Sequence, residues 1–377
     1  MTAAQRWWCV LIGTLVLAVT PALVRARPAP ETDFSAVTLV ERVTEAGSVP
    51  YSGLVHTSGT VALPDADQLS GLAKLFGTSS RVRVWWQDPQ VWRVATLRPT
   101  GETDLIHAGN RMIRWVYESK NATLIPDSPI RLPDIRDMLP PELGRWALGQ
   151  ARPSEVSKLP PRRVAGHDAV GVRLNPATPG GSISRVEVYV DAESALPVSV
   201  EIFARGATEP ALSSTFEDLT IQAPAAQDLA FAPPPDANLR FDRYVDLAAA
   251  VDRFSEAAPP SRLAGLPSRL PTTSAGSNFS PVGVFGRGPT VLLAVPLDRR
   301  TAEDLCGELE GQPGAVELAE GILVASAPLG LLLTRGDSSG TSWLLAGTVT
   351  RSGLRSAATQ LIREADGRRA RLGPETS

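Results

Sequence analysis

Chemistry in this 377-residue sequence would have to run through three histidines, two cysteines and a scatter of carboxylates. His56, His107 and His167 show no metal-ligand spacing, and each falls in a segment that reads as a strand. A metal site needs such ligands converging with supporting carboxylates, so satisfied or surface imidazoles are expected and no metal. Cys306 lies beside Leu305 and near Leu309 on an amphipathic pattern. A nucleophilic thiolate needs an electropositive setting, whereas Glu303, Asp304 and Glu308 surround this one, so a structural thiol is expected. The other cysteine, Cys9, sits in the N-terminal apolar run. Asp88, Glu102, Asp104 and Asp191 fall at strand ends or turns, where carboxylates are solvated rather than paired for acid–base work. No G-x-S-x-G, H-E-x-x-H, Walker or dinucleotide pattern occurs. "GVFGRGP" (283–289) has glycines, but a proline stands where a phosphate-binding helix would open, so it reads as a turn. The expectation is a protein with no catalytic residue and no cofactor.

What remains is chemistry of the non-covalent kind. Trp85, Trp86, Trp92, Trp115 and Tyr117 crowd one group of strands. Counting by twos, Trp86 shares a face with Val82 and Val84. The same count puts Val186, Val188 and Val190 on one face of a later strand, and Val198, Val200 and Ile202 on one face of the next. Broad apolar walls of this kind either close on themselves as core or line a cavity for an apolar ligand. Between the first two strands lies an apolar insert carrying Leu69, Leu72, Leu75 and Phe76, where a tight hairpin would need only a polar turn. It reads as a lid over the apolar face, or as a helix completing the core.

These residues must be positioned by regular elements. The chain is 43% hydrophobic and 20% charged, which places it among globular proteins long enough for two domains. A net charge of −3 without a basic run argues against nucleic acid as a partner. At the N-terminus an apolar run from Cys9 to Val24 precedes "VRARPAP", with Val24 and Ala26 at signal-peptidase positions. Residues 1–26 are therefore a cleaved signal peptide or an uncleaved membrane anchor, and either places the body outside the cytoplasm, close to the membrane surface. Residues 34–46 have helical apolar spacing. Alternating strands follow at 54–60, 81–87, 91–97, 103–108, 111–118 and 122–126, with Gly109-Asn110 as a hairpin turn. After a proline-rich stretch holding the short helix "PPELGRWALGQ", further strands run through 163–176, 184–194, 196–206 and 213–222. About nine antiparallel strands with one charged face predict a single large curved sheet with helices on its apolar side. A Pro/Ala/Ser-rich linker with one helix (244–257) spans 236–281, a smaller α+β domain spans 282–366, and 367–377 is a polar tail. Thr301 and Asp304 read as the capping pair of a helix in that second domain.

The succession "YSGLVHTSG", "RVRVWWQDPQVWRVATL", "GETDLIHAGNRMIRWVYESKNAT", "RVAGHDAVGVRLNP" and "VEVYVDAESALPVSVEIFARG" resembles the LolA/LolB-like proteins and the N-terminal domain of RseB (MucB), in an actinobacterial form. The likeness covers about 34–235 and rests on strand order, the "Y-x-G" start and the "VDA-x-x-x-LPV" turn at 190–198. It implies a mainly β, α+β fold: a half-open antiparallel β-barrel wrapped around helices, with a smaller C-terminal α+β domain. It also implies a binding role, with a lipid or lipoprotein acyl chain held against the concave lining by a carrier or envelope sensor. The lining would be Val82, Val84, Trp86, Val186, Val188, Val190, Val198, Val200 and Ile202, and the lid Leu69, Leu72, Leu75 and Phe76. The bipartite layout resembles RseB, which implies a membrane anti-sigma factor as the alternative partner in sigma-factor envelope-stress signalling.

Overall fold

A computed structural model describes residues 33–62, 70–125, 133–241, 259–269, 282–336 and 341–372. The expected signal or anchor, the 244–257 helix, Leu69 and the end of the tail lie outside the described residues.

The first sheet has twelve strands, more than the count by pattern suggests. They are β1 (Tyr51–Gly59), β2 (Ser79–Asp88), β3 (Val91–Arg98), β4 (Gly101–Ala108), β5 (Arg111–Val116), β6 (Asn121–Ile125), β7 (Val156–Val164), β8 (His167–Leu174), β9 (Ile183–Asp191), β10 (Pro197–Ala204), β11 (Leu212–Thr220) and β12 (Asn238–Phe241). Their order is β12-β6-β5-β4-β3-β2-β1-β11-β10-β9-β8-β7. Every pairing is antiparallel except that of β12 with β6. Thus β12, within the stretch read as linker, is a strand of this sheet. Phe231 and Ala237, leading into it, pack with Ile106, Trp115 and Ala122 on the outer face.

The sheet curls. His167 Nε2 on β8 lies 3.2 Å from Leu219 O on β11. Flat, these strands would stand roughly 14 Å apart, three strand spacings of the usual size. Leu159, Val164 and Ala169 accordingly share one apolar cluster with Phe216 and Leu219. The edges β12 and β7 end the sheet without pairing to each other, so it is a half-open barrel. Edge strand β7 carries Pro160 and Pro161 and a break in register between Leu159 and Arg162, features that blunt a free edge.

Helices fill the inner side. Helix α1 (Ala36–Glu45) starts at Ser35, whose side chain accepts from Thr38 N at 3.1 Å, and buries Leu39 and Val43. Its Arg42 Nη2 donates to Glu193 O at 2.8 Å, tying the helix to the β9–β10 turn. Helix α2 (Ser70–Gly77) is the apolar insert. Helix α3 (Pro140–Leu148) opens on two prolines, which suit a first turn with no N–H to satisfy, and buries Leu143, Ala147 and Leu148.

The second sheet runs β15-β16-β20-β19-β18-β17, all antiparallel. A hairpin of β13 (Arg262–Leu263) and β14 (Leu266–Pro267) precedes it. Its strands are β15 (Gly283–Arg287), β16 (Thr290–Leu297), β17 (Val316–Glu317), β18 (Gly321–Ser326), β19 (Leu329–Thr334) and β20 (Ser342–Gly347). After the short turn α4 (Ala226–Leu229), the helices are α5 (Arg299–Glu310) and α6 (Arg351–Leu372). Leu323 and Leu332 pack with Leu354 and Leu361 of α6, while Ile322, Val324, Leu331 and Leu333 pack with Ala302 and Leu309 of α5. Both faces of the sheet are thus covered, which explains why its strands read as unbroken apolar runs. The helix cap differs from the expected one. Asp298, three residues before the expected cap Thr301, accepts from Thr301 N at 3.0 Å and starts α5. The Thr301 hydroxyl donates to the same carboxylate rather than capping the helix itself.

Among the described residues, the two sheets are joined through main chain, side-chain hydrogen bonds and the Arg287–Glu155 ion pair. Gly181 bridges Val349, Ser182 N donates to Thr348 O at 3.0 Å, and Thr350 N donates to Gly180 O at 2.8 Å. Arg287 on β15 reaches the carboxylate of Glu155, just before β7. The same guanidinium and Gly288 N also meet Gln150, immediately beyond α3. On the other side, Ala62 N donates to Ser326 Oγ at 2.9 Å, which fixes the root of the α2 insert to the β18–β19 turn.

Candidate ligand-binding interior

All nine residues expected to line the apolar face are buried, none more than 3% exposed. Val82, Val84 and Trp86 belong to an aromatic-rich half-core that spans β1 to β6, and Val198 joins the same cluster. Val186, Val188, Val190, Val200 and Ile202 belong to the other half, against Leu39 and Val43 of α1 and Leu143, Ala147 and Leu148 of α3. Val198 sits where the β9–β10 register shifts, between Pro197 and Ser199, so counting by twos does not carry through it. The residues are divided between two buried clusters, and the one with Val186, Val188, Val190, Val200 and Ile202 is covered by helices.

Two covers rest on glycines that leave no room for a side chain. A Cβ on Gly144 of α3 would come 2.8 Å from Pro197 Cβ and 3.5 Å from Val188 Cγ1. A Cβ on Gly59 would lie 2.0 Å from the Phe76 carbonyl oxygen, so the end of α2 seats directly on the backbone of β1. Of the expected lid, Leu75 and Phe76 are half-buried against the Val186–Ile202 half-core. Apart from the seat itself, α2 is held by Val61 N donating to Phe76 O at 3.1 Å.

The aromatic half-core contains a row the sequence did not disclose. In register across the sheet stand Tyr51, Trp86, Trp92, His107, Met112 and Ile125. Tyr51 and Trp86 stack at 5.9 Å between centroids, Trp86 and Trp92 at 5.8 Å, and Trp92 and His107 at 5.4 Å. Phe216 closes the row edge-on to Tyr51 at 5.7 Å. Its signal in the sequence was the crowding of tryptophans; its register depends on pairing that strand patterns do not encode. Burial pushes the Tyr51 phenol well above its ordinary pKa, and the nearby Glu142 carboxylate adds to this. Glu142, in α3, is itself raised by burial and pairs with Arg145. Arg136 lies 5.1 Å over the Trp92 ring and pairs with Asp134 at 3.2 Å.

His56 meets Ser79 Oγ at 2.7 Å, and His167 Nδ1 lies 3.2 Å from Asp191. Two carboxylates expected to be solvated are buried. Asp104 faces Arg93 at 2.6 Å inside β4, and burial outweighs that cation to lift its pKa to about 6. Asp191 accepts from Ser194 N and Oγ, both at 2.7 Å, and builds the turn into β10. Cys306 is half-buried, and burial together with Glu310 raises its pKa. Among the described residues no group of three or more His, Cys, Asp or Glu could hold a metal ion.

No family model and no curated protein matches this sequence. Among solved structures, the chain is similar to one in the Pseudomonas aeruginosa MucA/MucB complex. That match has 15% identity and a TM-score of 0.48, and covers 86% of this chain and 96% of that one. A second, MucB in complex with MucA(peri), matches at 15% identity and a TM-score of 0.47, covering 86% and 97%. A LolA superfamily protein from Nitrosomonas europaea matches at 10% identity and a TM-score of 0.24, covering 52% of this chain and 98% of its own. Among the described residues no helix is long and apolar enough to cross a membrane.

Proposed function

We propose that this protein is an extracytoplasmic, non-enzymatic binding protein that holds the acyl chain of a lipid or lipoprotein against the inner wall of its first sheet, as carrier or envelope sensor. The observation that carries this reading is the covering of the Val186–Ile202 half of the apolar wall by α1, α2 and α3, none of which is part of the sheet. Their displacement would open the wall while leaving the strand ladder paired. An apolar ligand replaces the buried contacts it displaces, at roughly 25 cal/mol for each Å² of apolar surface kept from water. A ligand that binds only the opened form shifts the population toward it by its differential affinity.

The test is native mass spectrometry of residues 31–377, followed by organic extraction. The expected result is a co-purifying acylated lipid that is absent from folded Val188→Asp, because an unpaired carboxylate on the wall excludes a hydrocarbon chain. A lipid-free wild type that stays lipid-free after incubation with lipids and lipopeptides would sink the reading. Unfolding of Val188→Asp would assign that position to core alone, and the result would then rest on the wild-type lipid content.

A regulator that binds a membrane anti-sigma factor is the second reading. It is favoured by the joint of the second unit, where Arg287 and Ser326 hold the ends of segments that cover the wall. Through that joint, displacement of the covers would reach a surface a protein partner can sense.

A further inference from the structure

Among the described residues, two polar side chains in the aromatic row have no hydrogen-bond partner. Tyr51 is 1% exposed and its Oη has no hydrogen bond; His107 is 5% exposed and neither ring nitrogen has one. Buried polar atoms are ordinarily paired, and leaving one unpaired costs its desolvation. Each of these tips can donate. The phenol keeps its proton, and an imidazole carries at least one N–H in either charge state. The cations on the same side are engaged: Arg136 by Asp134, Arg145 by Glu142, and Arg114, beside Leu105, also has a partner. The row therefore offers donors without offering a free positive charge, and Glu142 sets a carboxylate near the Tyr51 end. Such a site fits an uncharged acceptor and disfavours an anion.

We propose that the Tyr51–Trp86–Trp92–His107 row is a subsite for acyl esters, with Tyr51 Oη and a His107 ring N–H each donating to an ester carbonyl of the bound lipid. Three ring spacings separate the two donors, so a single carbonyl meets one of them and the row holds two separate ester positions. The rings between them supply apolar wall for the chains. This inference rests on the acyl-chain reading above and adds selection of esters over ethers and over free fatty acids.

The test uses the full chain and three probes: dioctanoylglycerol, its dioctyl ether counterpart, and decanoate. Each is titrated by tryptophan fluorescence, which Trp86 and Trp92 report directly. Wild type should bind the ester about tenfold more tightly than the ether, the factor expected for donors of this kind. Decanoate should bind more weakly than the ester. In the Tyr51→Phe/His107→Phe double variant the ester-to-ether ratio should fall to about one while affinity for the ether is kept. Both changes keep a ring in the stack and delete unpaired polar atoms, so the melting temperature should not fall. Tyr51→Phe alone, which deletes one oxygen, should lose part of the ratio and serves if the double variant does not fold. A ratio that survives in the variants, a wild type that binds ether as tightly as ester, or a preference for decanoate would overturn the inference while leaving the acyl-chain reading in place. Binding of none of the probes would overturn both.

Discussion

Arg287→Ala should destabilise the protein by about 3–5 kcal/mol, the usual cost of removing one partner of a buried ion pair. The Glu155 side chain is 2% exposed. It accepts from Arg287 and from the backbone N–H groups of Arg152 and Ala177, both at 2.9 Å. The Arg287 hydrogen bond is the main reason its pKa falls from 4.5 to about 2. A carboxylate with a lowered folded pKa gives stability that is present above the unfolded pKa and lost as pH falls through the folded one. The window therefore runs from about 4.5 down to about 2, and the carboxylate's bonds to Arg287, Ala177 and Arg152 are together worth about 3 kcal/mol above it. Urea unfolding as a function of pH checks this. Wild type should lose stability steeply across that window, and Arg287→Ala should start lower and lose little more. A variant with wild-type stability at neutral pH would mean that the joint is not held by this pair. Because Arg287 also holds Gln150 at the end of α3, loosening of the joint should appear as faster amide exchange in α3.

Gly59→Val should lift α2 from the sheet. Strand β1 is central, paired with β2 on one side and β11 on the other, so it cannot yield to the new side chain. The Phe76 carbonyl, 2.0 Å from the position of the added Cβ, must move instead. Leu75 and Phe76 then lose their packing, which amounts to about 2 kcal/mol for two half-buried side chains. That shift raises the open population of α2, and with it the exit rate of any bound lipid, about 30-fold. Limited trypsin digestion at exposed Lys74 and stopped-flow release of a fluorescent fatty ester are the measurements. Fast cleavage with an unchanged melting transition identifies α2 as a lid. Cleavage only in step with global unfolding identifies it as ordinary core.

The sequence by itself determined which faces of the strands are apolar. Alternation is a property of the extended backbone, so Val82, Val84 and Trp86 had to share a side, as did Val186, Val188 and Val190. It also determined a helix over 34–46 through its apolar spacing, and the turn before β10 through the "VDA-x-x-x-LPV" pattern at 190–198. What it could not determine depends on which strands become neighbours. The stack of Trp92 on His107 exists because β3 pairs with β4 in one particular register. Asp104 is buried because the same pairing sets Arg93 diagonally across from it, opposite Ile106, and the 226–241 segment packs on that face. Val198 left the expected pattern because a one-residue register shift is set by the partner strand. The 236–241 stretch, polar and proline-led, looked like linker until β6 offered it a free edge. Glu155 and Arg287, 132 positions apart, carry no local mark of each other. Local periodicity is written in the chain, whereas register, edge pairing and long-range ion pairs arise only when the sheet closes on itself and on the second unit, and they decide how the wall is covered and what could uncover it.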